Sequence, residues 1–248
     1  MSNNTDTNKY TILFSIGMVV IVGSLLAFTA SSLKPNIQEN ERMEKQQNIL
    51  YAMGVNENGS TDIKFIGTDK VAGEFSKYIS KQLTINTDGT SDENLEAYLI
   101  DVKKEQAKAK NGGIRELPLF VGEKDNQTFY IIPIRGKGLW DAIWGYVALD
   151  EDMVVQGAFF DHAAETPGLG ANIKQRYFMD DFVGEQLLEK GAFQGIKVAK
   201  GNNDPKNLIK DDYEVDALAG ATITGDGVSV MLKKDLAMYV PYLKTLNN

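Results

Sequence analysis

The chain has 248 residues, with 26 Lys and Arg against 34 Asp and Glu, one histidine and no cysteine. A net charge of −8 argues against nucleic acid or an anionic membrane surface as a partner, because both select faces rich in Lys and Arg. The lack of Cys removes disulfides, thiolate metal sites, iron–sulfur clusters and a cysteine nucleophile, and the lone His162 disfavours zinc or a His-dependent triad, so any chemistry falls to a cofactor.

Residues 1–10 read as a short tail. From Thr11 to Ala30 no residue is charged, and eleven of these twenty are Ile, Leu, Phe or Val. At about 1.5 Å rise per residue the run reaches roughly 30 Å, one bilayer core. Its aliphatic and aromatic residues favour insertion by about 3 to 7 kcal/mol. A cleaved signal peptide fits less well, because the n-region holds one Lys, the apolar run is long and Phe28 spoils an A-x-A site. Residues 11–33 are therefore expected to form a retained transmembrane helix. Lys9 lies on one side and Lys34, Arg42 and Lys45 on the other, so a literal positive-inside count puts the large domain in the cytoplasm.

Residues 34–248 are expected to form one domain. It opens with a juxtamembrane helix over 35–54, where Met43, Gln46, Leu50 and Met53 recur at helical spacing before Gly54. A polar turn at 56–61 precedes a short strand over 63–66, and 71–83 fits helix and strand equally. Residues 92–110 read as a helix with Leu95, Leu99 and Val102 on one stripe, stopping at Asn111-Gly112-Gly113. The period then shortens: 128–134, 146–149 and 154–160 are rich in β-branched and aromatic residues, with a turn at Asp150-Glu151-Asp152, which predicts an antiparallel meander. Helices return over 180–190 and over 225–246, where Val228, Leu232, Leu236 and Val240 repeat every four residues. The fold class is α+β, one transmembrane helix followed by a domain with an antiparallel sheet and flanking helices.

Three segments are candidates for chemistry. Glu165-Thr166-Pro167-Gly168-Leu169-Gly170 follows a predicted strand, and its glycines let a flat ligand approach the main chain, although taken alone it is an ordinary turn. From Asp216 to Thr224, small residues at Ala219, Gly220 and Ala221 run into the last helix. A hydroxyl there lies where helix N–H groups favour a phosphate; equally, Asp216, Thr222 or Asp226 could simply cap the helix. The third, 136–146, holds Gly136, Gly138, Leu139, Trp140 and Trp144, and its aromatics suit either a wall for a planar ring or plain packing.

In combination these segments are far more specific than any one alone. An N-terminal transmembrane helix, GKGLW at 136–140, ETPGLG at 165–170 and D-x-x-x-G-A-T at 216–222 before a final helix resemble the FMN-binding domain family. That family includes NqrC, from the Na+-translocating NADH:quinone oxidoreductase, and its counterpart in the Rnf electron-transport complex, and the resemblance covers essentially the whole chain. It implies FMN joined by a phosphoester bond to Thr222, placed there by a separate flavin transferase, with Thr224 as the fallback acceptor. Ala219 stands where the family has Ser or Thr, which touches local hydrogen bonding more than the bond itself. The resemblance also puts Glu165, Thr166, Gly168, Leu169 and Gly170 against the isoalloxazine, adds Leu139, Trp140, Gly220 and Ala221 to the flavin site, and makes Asp216 part of the motif the transferase reads. It assigns no catalytic residue and no metal, and His162 receives no role.

The implied function is electron relay in a membrane complex that passes electrons from NADH to ubiquinone and exports sodium. The implied partners are its other subunits, the flavin transferase and the bilayer around 11–33. No Rossmann or Walker fingerprint points to direct NADH binding. The implied location is the bacterial inner membrane with the domain on the periplasmic side, opposite to the literal charge count. The chain length and Gly138-Leu139-Trp140 favour the sodium-pumping complex over an Rnf-type flavoprotein. A membrane-anchored scaffold without flavin is the reading from another class.

Overall fold

The computed structural model describes residues 8–59, 62–86, 88–201, 204 and 206–246. Most of the expected tail, the last two positions of the expected turn at 56–61 and the last two of the domain lie outside them. Two compact units are present, one ending at Arg42 and one running from Met43.

The first helix, α1 (Asn8–Ala52), continues through Pro35, where a break between a spanning and a juxtamembrane helix was expected. A proline there removes only one helical donor, that to the Ser31 carbonyl, and the helix on either side is long. Its apolar part is exposed, with a mean hydropathy of 2.4 over 18 residues, and is long and apolar enough to cross a membrane. In the second unit, Ile49, Leu50 and Ala52 are fully buried. The helix ends in a Schellman turn, Val55 N–H to the Leu50 carbonyl and Gly54 N–H to that of Tyr51, with Gly54 at φ 75°.

A six-stranded antiparallel sheet forms the centre, in the order β2-β1-β3-β4-β5-β6. Its strands are β1 (Ile79–Ile85), β2 (Ser91–Glu93), β3 (Leu117–Lys124), β4 (Gln127–Lys137), β5 (Ala142–Leu149) and β6 (Val155–His162). The last four make the expected meander, and β3 is an addition to it. In β4 residues 129–134 are all buried. Both faces of the strand are covered, which is why the run is continuously apolar rather than alternating. On the face carrying Ile131, Gly122 and Gly157 leave room for Met53 and the Ala52 carbonyl. On the face carrying Gly136 lies α5 (Thr222–Ala237).

Between these layers sits a buried ion pair. Arg115 Nη1 is 2.9 Å from Asp235 Oδ1, and the Asp235 carboxylate also accepts from the Arg135 N–H at 2.7 Å and from Gln106. A buried carboxylate so satisfied fixes the α5 axis against β3 and β4, since breaking either partner would leave a charge unpaired.

Several elements differ from expectation. Residues 63–66 are not a strand: Lys64 N–H donates to Asn58 Oδ1, and Phe65 packs in an aromatic triangle with Tyr51 and Phe159. The single helix over 92–110 is β2, a 3-10 turn at Ala97–Leu99, and α3 (Val102–Lys110), which starts where the Asp101 carboxylate accepts from the N–H groups of Lys103 and Lys104. Its supposed inner stripe is wrong, because Leu95 and Leu99 are 69% and 52% exposed while Ala97 is buried. The segment 71–83 divides into α2 (Val71–Tyr78) and β1. No helix spans 180–190. Instead α4 (Arg176–Asp180) ends there, Phe178 and Phe182 pack on Phe160, and the chain turns at Gly184 (φ 88°) into β7 (Leu188–Glu189) and its partner β8 (Ala192–Phe193). The terminal helix begins at Thr222 and is interrupted after Ala237, resuming as α6 (Val240–Leu243) with Pro241 in its first turn. Strands β9 (Lys197–Ala199) and β10 (Glu214–Asp216) pair in parallel and lead into that helix.

Glu185, fully buried below the start of β6, accepts from Asn207 Nδ2 at 3.0 Å and lies 3.4 Å from Lys210 Nζ. Burial pushes its carboxyl up to about 7, against the lowering influence of Asn207 and Lys210. Its folded value therefore exceeds the unfolded one of about 4.3. The linkage contribution to stability is then present below that unfolded value and is lost as pH rises through about 7. The melting temperature of the chain in detergent should fall across this window, and Glu185→Gln should flatten the decline; an equal slope in the variant would exclude Glu185 as its origin.

Candidate functional site

The site is built where α5 meets the β4–β5 turn. Helix and strand approach unusually closely, because a Cβ on Gly227 would stand 2.3 Å from the Lys137 carbonyl oxygen and one on Gly136 would stand 2.8 Å from Met231 Cβ. This contact brings the first turn of α5 beside the turn at 138–141, closed by the Gly138 N–H to the Asp141 carbonyl at 2.8 Å.

Glu165 joins the three predicted segments. It is 4% exposed. Its Oε1 accepts from the Trp140 N–H at 2.9 Å, and its Oε2 accepts from the Thr224 hydroxyl at 2.6 Å. Burial opposes its charge, but the hydrogen bonds from Thr224 and from the backbone at Trp140, Asp141 and Leu139 prevail and hold the carboxyl below its ordinary range. The Glu165 N–H donates to His162 Nδ1 at 3.2 Å, so the one histidine supports the loop from beneath.

The rest of the loop is shaped around that carboxylate. The N–H groups of Leu169 and Ala171 both donate to the Thr166 carbonyl, and Gly168 sits at φ 77°. The chain then enters a 3-10 turn, Gly170–Lys174. Trp140 Nε1 donates to Thr166 Oγ1 at 3.1 Å, tying the exposed indole to the loop. Leu169 leans over Gly220, where a Cβ would come within 2.8 Å of Leu169 Cδ2, and Gly220 itself has φ 71°.

Thr222 opens α5 with its side chain exposed, while Thr224 is 1% exposed. The N-cap is Ala221, buried, and no side chain caps the helix, so the expected alternatives of Asp216, Thr222 or Asp226 as a cap do not occur. The first helical bond runs from the Gly225 N–H to the Ala221 carbonyl. The N–H groups ahead of it, with the positive end of the dipole, face the surface on which Thr222 stands. Leu139, Trp140, Leu169 and Ile223 are 45%, 65%, 41% and 57% exposed, an apolar rim on the segments that Glu165 joins.

Sequence expectations for the site divide accordingly. Thr222, Gly220, Leu169, Thr166, Gly168, Leu139 and Trp140 are exposed on the joined segments, with Leu169 against Gly220 and Trp140 tied to Thr166, whereas Ala221 is buried. Glu165 and Gly170 belong to the same place but lie beneath it, so neither is free to lie against a ring. Thr224 is committed to Glu165 and is a poor fallback acceptor. Asp216 is half-buried on β10. Gly138 and His162 carry structural roles that the sequence does not signal: a Cβ at Gly138 would lie 2.5 Å from Glu165 Oε1. The two glycines of GKGLW are visible in the sequence, but nothing in it names the carboxylate that requires one of them.

Gly170 is the sharpest test of this packing, since a Cβ there would fall 2.4 Å from Thr224 Oγ1 and 2.5 Å from Glu165 Oε2. Gly170→Ala should cost about 1 to 3 kcal/mol, read as a lower denaturation midpoint. Gly168→Ala, with open space around its Cβ, should cost only the strain of its positive φ, about 1 kcal/mol.

A sequence model described as "FMN-binding domain" matches residues 138–237, which contain the 165–170 and 216–224 segments whole and the third from Gly138 onward. Among curated relatives, the Na(+)-translocating NADH-quinone reductase C subunit (NqrC) of Vibrio anguillarum is 29% identical over 246 residues, covering 92% of this chain and 90% of that protein. Its Pseudomonas aeruginosa equivalent is 28% identical, covering 94% and 92%. The crystal structure of the same protein from Parabacteroides distasonis superposes with a TM-score of 0.72 at 32% identity, covering 85% of this chain and 96% of that one. That of Shewanella oneidensis NqrC does so with 0.65 at 26%, covering 83% and 99%. With this identity and coverage, the chain belongs to the NqrC family of Na(+)-translocating NADH-quinone reductases.

Proposed function

We propose that this chain is the FMN-carrying electron-relay subunit of a Na+-translocating NADH:quinone reductase, and that its FMN is held covalently by a phosphoester bond to Thr222. The observation that carries the attachment is the contrast between the two hydroxyls of the motif: Thr222 is exposed at the uncapped start of α5, and Thr224 is buried in a 2.6 Å bond to Glu165.

The residues present fit FMN. A phosphate on Thr222 would meet the free N–H groups and positive dipole end of a 16-residue helix. The lack of a side chain at Gly220 lets Leu169 pack over the chain there, and Leu139, Trp140, Leu169 and Ile223 offer apolar surface to a planar ring. When bound, the flavin supplies the electron-transfer chemistry. The chain's own residues anchor the phosphate, exclude water with the apolar rim and fix the loop through Glu165.

The partners follow from the same reading. Other subunits of the complex supply and take the electrons, a flavin transferase makes the bond and Asp216 lies in the motif it reads. Lipid surrounds 11–33 of α1, and residues 34–248 form the domain beyond it, here placed on the periplasmic side of the inner membrane. This orientation runs against Lys9 facing Lys34, Arg42 and Lys45, but long domains are translocated largely regardless of charge. The Rnf-type and scaffold readings are weaker, because the Vibrio anguillarum and Pseudomonas aeruginosa relatives match over some nine-tenths of their length and the matching domain is named for FMN.

Co-expression of the full chain with an active flavin transferase, followed by denaturation and peptide mass mapping, should find FMN less one water on the peptide containing Thr222. Thr222→Ala should abolish that mass and shift the melting temperature little, as expected of an exposed side chain. Flavin retained on the variant would move the site, and an unmodified wild-type chain would return the scaffold reading.

A further inference from the structure

The sequence Thr222-Ile223-Thr224 offers two hydroxyls two residues apart, and the fold treats them oppositely. Joining a flavin phosphate to an alcohol in water requires an activated donor. The donor is a flavin nucleotide with a phosphoanhydride: the threonine oxygen forms a bond to the flavin-side phosphorus, the anhydride P–O bond breaks, the nucleoside monophosphate departs and the hydroxyl proton is lost. No electrons move. Such a transfer needs an oxygen that can reach an external phosphorus, and a hydroxyl already donating at 2.6 Å to a buried carboxylate cannot.

We propose that Glu165 is the positioning residue of flavin attachment: it withdraws the Thr224 hydroxyl from the surface and fastens the first turn of α5 to the 138–141 turn, leaving Thr222 as the sole acceptor of this segment. The inference rests on the covalent reading above and deepens it. Glu165 touches neither the acceptor oxygen nor the ring surface. It acts through what it holds. One oxygen gathers the backbone of the turn carrying Leu139 and Trp140. The other takes Thr224. Gly138 and Gly170 are the positions at which a Cβ would strike one of those oxygens, Oε1 and Oε2 respectively, each at 2.5 Å. His162 holds the Glu165 backbone from the β6 side. A carboxylate with these donors has a definite position, and it transmits that position to the helix through Thr224.

The arrangement also separates two roles that the sequence pattern merges. The family resemblance puts Glu165 against the flavin, but its side chain has almost no free surface. Its influence on the flavin is therefore exerted through the placement of Trp140, whose N–H it binds and whose indole is tied to Thr166.

The test uses the full chain co-expressed with an active transferase, with flavin located by peptide mass and its environment read by visible circular dichroism. Thr222→Ala should carry no flavin, whereas Thr222→Ala with Glu165→Ala should carry flavin on Thr224. In the presence of Thr222, Glu165→Ala should lower the rate of modification and alter the flavin dichroism, and Glu165→Gln, which keeps an acceptor oxygen, should restore part of both. Thr224→Val preserves side-chain volume and removes only the hydroxyl, so it decides the matter if Glu165→Ala does not fold. It should slow transfer to Thr222 by about tenfold or more, as expected for the loss of a hydrogen bond to a charged group. A double variant that folds yet stays unmodified at Thr224, or Thr224→Val with wild-type transfer rate and dichroism, would overturn the proposal. An unmodified wild-type chain would instead overturn the covalent reading on which it rests.

Discussion

A buried negative charge is tolerated only where donors have been arranged to meet it, and the Glu165 carboxylate is the point on which this site depends. Its donors come from two parts of the chain distant in sequence, the turn after β4 and the first turn of α5. Satisfying one carboxylate therefore forces three loops into one geometry. The glycines at 138 and 170 are consequences of the same demand, because the carboxylate and its partners fill the space that their side chains would occupy.

The second constraint is the axis of α5. Gly136 and Gly227 let helix and strand come nearly into backbone contact, and the Arg115–Asp235 pair pins the far end of the helix. Once the axis is fixed, its N-terminus is fixed too, and it opens toward solvent with no side-chain cap. A helix start of this kind has unsatisfied N–H groups and a partial positive charge, both of which suit a phosphate. The covalent bond proposed at Thr222 would add what those features alone do not: the flavin would stay in place when a change of redox state alters its affinity. For a relay on a domain facing water, dissociation would then cease to be a mode of failure.

The segments of the candidate site stood out in the sequence more sharply than the element boundaries around them. Short motifs carry their chemistry in residue identity, so Thr222, the ETPGLG loop and GKGLW could be singled out before any coordinates. What they do to one another could not. The resemblance ranks Thr222 ahead of Thr224 without a physical reason, and burial supplies one, since Thr224 is 1% exposed. The meander was readable because β-branched and aromatic runs alternate with a clear turn, and the final helix because its apolar residues keep a four-residue spacing. The failures have a common origin. Over 92–110 and 180–190 the apolar residues also fall at helical intervals, but Asp101 starts a new helix in the first and Gly184 turns the chain in the second. Aromatic packing of Phe178 and Phe182 on Phe160 then outweighs any helical preference. At Pro35 the error ran the other way, a breaker in sequence that the long helix absorbs.

The central claim is that the flavin phosphate is a diester to Thr222, and phosphorus NMR of the purified full-length chain, made with an active transferase, addresses the bond itself. A phosphomonoester gains its second charge with a pKa near 6 and its signal moves with pH, whereas a diester has no such ionisation. Attachment at Thr222 predicts one protein-bound phosphorus signal that does not titrate between about pH 5 and 8 and that remains with the chain after denaturation. A signal that titrates, or that leaves with free FMN on unfolding, would contradict it.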